Sequence, residues 1–180
     1  MAQHTLTTPL DDNAIAALKA GDRVLLNGVV YTARDAAHKR LVECIDTGTP
    51  LPFDPAGQVI YYVGPTPAPP GKVIGSAGPT TSCRMDRYAP RLFALGLKAT
   101  IGKGPRSPEV VQAMIAHRAV YFIAIGGAAA LLARSIRSCR VIAYPELGPE
   151  AVHRLELADF PVFVANDICG GNMYKNSEIG

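Results

Sequence analysis

Apolar and polar positions along the chain change period repeatedly, and the changes predict alternating strands and helices. The run Arg23–Tyr31 (RVLLNGVVY) is apolar and β-branched, and Asn27-Gly28 at its centre predicts a hairpin turn. Further short apolar runs predict strands at Gln58–Val63, Lys72–Ser76, Lys98–Ile101, Val120–Ile125, Val141–Ala143 and Val162–Ala165. Between them the spacing becomes helical. Asp11 or Asp12 can cap a short helix with Ile15 and Leu18 on one face, stopped by Gly21. Arg34–Ile45 sets Ala37, Leu41, Cys44 and Ile45 on an apolar face, with Arg34, His38 and Lys39 elsewhere. A helix is expected from near Thr81, and Pro90 must kink or divide it. Ser107-Pro108-Glu109 opens the next helix, and others are expected between the last three strands. Thr47–Gly57 and the Pro-rich Gly64–Gly71 (GPTPAPPG) read as loops, and no internal repeat is visible. The pattern is α/β, richer in strands in its first half.

Length and composition narrow the picture. The chain has 180 residues, enough for one domain (1–180) with a real core, and its 48% hydrophobic content is that of a globular protein. A net charge of +3 is too mild to argue for nucleic acid. The longest apolar run, Ala119–Ala133, contains Gly126-Gly127 and falls short of the roughly 20 residues of a spanning helix. The first residues lack a basic and an apolar region, so no secretory signal is expected. Cys44, Cys83, Cys139 and Cys169 form no CxxC pair and are expected to be buried reduced thiols of a cytoplasmic protein.

Two stretches carry candidate chemistry. In Gly75–Asp86 (GSAGPTTSCRMD) a strand ends in glycines, and Thr80, Thr81 and Ser82 precede a predicted helix. Such a turn can aim backbone N–H groups and a helix N-terminus at an anion. From Arg84 to Arg106 six cations face a single acid, Asp86. Arg91 and Lys98 are read as solvated, whereas Arg84 and Lys103 adjoin glycine turns at strand ends, and Arg34 follows another strand. Ligands of open α/β sheets bind at such ends. Three cations there suit a small dicarboxylate, since arginine grips a carboxylate with two parallel bonds. No GxGxxG or Walker loop is present, because Gly102-Lys103 is followed by Gly104. The four histidines share no ligand spacing, and Cys83 has no evident base beside it.

Gly78-Pro79-Thr80-Thr81-Ser82-Cys83-Arg84-Met85-Asp86, followed by Ile101-Gly102-Lys103-Gly104-Pro105-Arg106-Ser107, resembles the iron–sulfur hydro-lyases. That group comprises class I fumarases and L(+)-tartrate dehydratases. Thr32–Lys39 upstream and Tyr121–Ala130 downstream match in the same order, and the likeness runs from Leu6 to Asn172. The resemblance implies a swivelling β/β/α domain that closes on a half carrying a [4Fe-4S] cluster. It implies a beta subunit, or C-terminal domain, of a hetero-oligomer whose alpha partner holds that cluster, with no metal on this chain. Thr80 then matches the threonine that acts as base, and Arg34, Thr81, Arg84 and Lys103 match groups that hold the substrate. A threonine is a poor base alone and needs a carboxylate from the other half to take its proton. Fumarases often carry other residues at the positions of Pro105 and Cys83, and both lie in these loops.

The implied activity is reversible hydration of fumarate to (S)-malate. Dehydration of L(+)-tartrate to oxaloacetate is the alternative, one substrate hydroxyl away. A non-enzymatic anion-binding module is a third reading, and it leaves the combination of Arg34, Thr80, Arg84 and Lys103 without a purpose.

Overall fold

The computed structural model describes residues 1–124 and 129–175. Seven strands, β1 (Gln3–Thr7), β2 (Arg23–Thr32), β3 (Val59–Tyr61), β4 (Ala99–Gly102), β5 (Val120–Ile123), β6 (Ile136–Ala143) and β7 (Val152–Asn166), form one sheet. Its order is β1-β2-β3-β4-β5-β7-β6, and an additional antiparallel pairing of β2 with β7 closes it into a small barrel. Strands β1 to β5 pair in parallel with their neighbours, and β7 returns antiparallel to β2, β5 and β6. One apolar cluster, including Val24, Leu26, Val59, Ile101, Phe122 and Phe160, fills the space that the sheet encloses. A second, including Leu41, Ile60, Leu92, Val110 and Met114, lies between the sheet and the crossover helices.

Those helices are α2 (Asp35–Thr47), α3 (Ala89–Phe93) and α4 (Pro108–Ala116); α1 (Asp12–Ala16) and α5 (Ala129–Arg134) are the other two described. Local chemistry sets their ends. The Asp11 carboxylate accepts from Ala14 N–H at 2.7 Å, and Ser107 caps α4 with Pro108 in the tolerated first turn. Gly48, at φ 66°, ends α2 in the left-handed conformation. The start of α2 has no cap from its own side chain. Instead Glu150, distant in sequence, accepts the Ala36 N–H at 3.2 Å.

Several expectations are corrected. Asn27-Gly28 is not a hairpin turn: β2 runs through it, and Gly28, at φ 90°, marks a register shift against β7. Lys72–Ser76 is loop. The helix expected near Thr81 is a single 3₁₀ turn, Ser82–Met85, and α3 begins separately with Pro90 in its first turn. No helix of the expected kind joins β6 to β7; a kinked 3₁₀ segment, Pro145–Glu150, does so, and β7 is far longer than Val162–Ala165. His38, placed off the apolar face of α2, is fully buried. None of the four cysteines is fully buried, and Cys83 and Cys169 are exposed. The end of the predicted strand at Ile125 and the pair Gly126-Gly127 lie outside the described residues. Among the described residues no helix is long and apolar enough to cross a membrane.

Candidate functional site

Three neighbouring parallel strands, β2, β3 and β4, end on the same edge of the sheet, and the candidate residues gather there. Arg34 follows β2, the Gly78–Ser82 segment crosses the ends of β3 and β4, and Lys103 follows β4. The crossing is fixed by backbone bonds: Thr80 N–H to Tyr62 O at 2.7 Å, Lys103 N–H to Thr80 O at 3.3 Å, and Ser82 N–H to Lys103 O at 2.9 Å. Thr81 and Lys103 thereby form an isolated parallel bridge. Gly102 permits this approach, since a Cβ there would stand 1.9 Å from the Ser82 hydroxyl oxygen.

The cradle differs from the one expected. The N–H groups of Thr80 and Ser82 are spent on carbonyls, and one 3₁₀ turn has little dipole to offer. What faces outward is side-chain chemistry. Thr80 is half-buried, Thr81 and Lys103 are exposed, and among the described residues neither hydroxyl nor the ammonium has a partner.

The two arginines are held by carboxylates that a count along the sequence could not assign. Arg84 meets Asp35 at two points, Nε to Oδ1 at 3.1 Å and Nη2 to Oδ2 at 2.8 Å. Arg34 lies over Gly64 and pairs with Glu150 at 3.2 Å, while its Nε–H is buried without a partner. Asp35 directly follows Arg34, and Thr81 is bridged to Lys103, so the segments that carry Arg34, Arg84, Thr81 and Lys103 adjoin on this rim. Cations read as solvated are paired elsewhere, Arg91 with Asp46 and Lys98 with Asp12, each at 2.6 Å. The excess of positive charge between Arg84 and Arg106 is therefore largely neutralised across space.

A buried layer beneath the site was missed in the sequence. The Arg106 guanidinium, without solvent exposure, donates to Asp86 at 2.7 Å, Thr100 at 3.0 Å and Tyr62 at 3.3 Å. Asp86 also accepts the Ser107 N–H at 2.8 Å. The Tyr121 hydroxyl donates to Gly104 O at 2.8 Å, so Ser82, 2.8 Å away, donates to Tyr121. Burial pushes the Tyr121 phenol up and keeps it protonated for this role. Together these bonds pin both the 3₁₀ turn after Thr81 and the loop after Lys103.

His38 belongs to the same layer. Its Nδ1 lies 2.9 Å from the Arg34 carbonyl oxygen, and its ring packs on Tyr62 and Tyr88. Burial pulls its pKa from 6.5 down to about 4, so the ring is neutral at pH 7. The unfolded chain binds a proton below about 6.5 that the native ring refuses until about 4. Stability is therefore lost as pH falls through that window, by about 3 kcal/mol in all. Urea unfolding at pH 7 and pH 4.5 is expected to show most of that loss, and His38→Gln is expected to remove it. An equal loss in the variant would assign the acid sensitivity to other groups.

The sheet and its strand-end cluster define a closed α/β domain that presents hydroxyls and cations on one rim. The family model for the fumarase C-terminus matches residues 2–177, and the chain belongs to that family. Fumarate hydratase 2 of Leishmania major is 42% identical over 177 residues, covering 96% of this chain and 31% of that protein. The aerobic class I fumarate hydratase of Escherichia coli K12 is 42% identical over 159 residues, covering 87% of this chain and 29% of that protein. The putative beta subunit of L(+)-tartrate dehydratase from Methanocaldococcus jannaschii is 41% identical over 164 residues, covering 88% of this chain and 84% of that one. The chain thus spans about a third of the length of the fumarate hydratases and most of the tartrate dehydratase subunit.

Proposed function

We propose that this chain is the beta subunit of an iron–sulfur-dependent fumarate hydratase, which adds water reversibly to fumarate to give (S)-malate. The reading is supported by the adjoining segments that bring Arg34, Thr80, Thr81, Arg84 and Lys103 to one strand-end rim, in a chain of the fumarase C-terminus family. In this reading the [4Fe-4S] cluster belongs to an alpha partner, where it supplies a Lewis acid to the leaving hydroxyl. Among the described residues no three His, Cys, Asp or Glu are placed to hold a metal.

The chain's own residues handle the anion and a proton. Arg34, Arg84 and Lys103 hold the two substrate carboxylates, and Thr81 adds a hydroxyl. The buried, unpartnered Nε–H of Arg34 is a donor in want of an acceptor, which a substrate carboxylate supplies. Glu150 and Asp35 hold Arg34 and Arg84 until the substrate arrives. In dehydration, the oxygen of Thr80 takes the proton from the carbon beside a carboxylate, and its own proton passes to a carboxylate of the partner. Lys103 and the arginines neutralise the charge that builds on the substrate as that proton leaves. Such stabilisation is strong only in a dry site, yet Thr81, Arg84 and Lys103 are exposed here. A swivelling closure of this domain onto the partner would supply the missing wall. The assembly is then a cytoplasmic hetero-oligomer, and this chain alone is inactive.

The tartrate reading keeps every residue in its role. It is favoured by the match in extent to the archaeal tartrate dehydratase subunit. Lys103→Ala and Arg84→Ala test the anion site under either substrate. Each is expected to weaken a dicarboxylate inhibitor of the assembled enzyme about tenfold or more, the value of one lost charge-assisted contact. Unchanged inhibition in both would move the anion site elsewhere.

A further inference from the structure

A second group of cations lines a cavity to which the five rim residues do not contribute. The loop 64–77 is braced by its own bonds: Thr66 N–H to Ser76 O at 3.1 Å, Gly75 N–H to Thr66 O at 3.2 Å, and Ser76 N–H to the Thr66 hydroxyl at 2.7 Å. With prolines at 65, 67, 69 and 70 it forms a stiff wall. Between this wall, α5 and β6 lies a cavity of about 590 Å³. Lys72, Arg134 and Arg137 line it, beside the apolar Val73, Ile74 and Ile136.

The charges of this cavity are unbalanced. Arg34, Arg84, Arg91, Lys98, Arg106 and Arg118 each have a carboxylate within 4 Å. Lys72, Arg134 and Arg137 make no ion pair among the described residues. All three are exposed, and an anion seated among them would gain attraction from each. The volume suits a small molecule, and the buried Ile74 and Ile136 offer it an apolar flank.

We propose that this cavity binds a small polyanion, a molecule bearing two or more phosphate or carboxylate groups. It is distinct from the rim, because none of Arg34, Thr80, Thr81, Arg84 and Lys103 lines it.

The test needs neither a partner nor a substrate, so its failure would leave the hydratase reading untouched. Pyrophosphate and citrate are titrated into the chain at constant ionic strength, followed by calorimetry and thermal unfolding. At least one is expected to bind and, at about 100 times its Kd, to raise Tm by several degrees. Binding of pyrophosphate alone assigns phosphate chemistry, and binding of citrate alone assigns carboxylate chemistry. Arg134→Ala with Arg137→Ala is expected to weaken that binding about tenfold or more, as is Lys72→Ala combined with Arg137→Ala. Lys103→Ala is expected to leave it unchanged. No binding of either probe, or binding by both double variants as tight as by the original chain, would overturn the proposal. Loss of binding in Lys103→Ala would overturn it too, by placing the anion on the rim.

Discussion

Alanine at Asp86 is expected to cost this chain about 3–5 kcal/mol of stability, the usual effect of stranding one member of a buried ion pair. The Arg106 guanidinium is wholly buried and cannot be discharged at any ordinary pH. Thr100 and Tyr62 accept from it, and its charge also lies over the rings of Tyr62 and Tyr121, 5.3 and 5.0 Å from their centroids. Among the described residues only Asp86 balances the charge, at 2.7 Å, and the same carboxylate holds the Ser107 N–H at the start of α4. Removing it leaves a cation and an amide unpaired below the loop that carries Lys103. Asp86→Asn keeps an acceptor for one of them and is expected to lose less. Urea unfolding of the three chains checks the order. A loss under about 1 kcal/mol in Asp86→Ala would mean that water or a rearranged side chain replaces the carboxylate.

Thr80→Ala carries the largest expected effect on activity. Removal of a positioned proton-transfer group typically costs about 10²–10⁴ in rate. The fold should tolerate the change, because Thr80 is anchored by its main chain, through Tyr62 O and Lys103 N–H. Its hydroxyl has no partner to lose among the described residues. In the assembled enzyme kcat is therefore expected to fall by that factor, while a dicarboxylate inhibitor binds within a few-fold of its normal strength. Thr81→Ala, one residue on, is expected to raise KM more than it lowers kcat. A Thr80→Ala rate within tenfold of the original would remove Thr80 from the base role.

What the sequence disclosed and what it hid follow from the range of each interaction. Caps and breakers act locally, so Asp11, Ser107, Gly48 and Pro90 could be read from their neighbours or lie where such signals place them. The strand ends also brought Arg34, Arg84 and Lys103 forward as candidate cations, and the resemblance added Thr80 as a base. The closure of β2 on β7 is a pairing of residues more than 100 positions apart, and nothing near Asn27-Gly28 announces it. In β7 itself, Asp159 at φ 51° and Pro161 interrupt the apolar run, which hid most of a 15-residue strand. Charge was misread for the same reason. Asp35, Asp46 and Asp12 neutralise Arg84, Arg91 and Lys98 from positions outside the counted window. His38 was placed off the apolar face, yet it packs between Tyr62, just after β3, and Tyr88, just before α3.

The most direct measurement is an anaerobic assay of this chain with its cluster-loaded alpha partner. It follows fumarate from (S)-malate and oxaloacetate from L-tartrate in parallel. Rapid turnover of malate that requires both chains is the predicted result. Turnover of tartrate instead would keep the residues in their roles and change the substrate. Turnover of neither by a complex that forms and carries its cluster would contradict the hydratase reading, as would full activity of the partner without this chain.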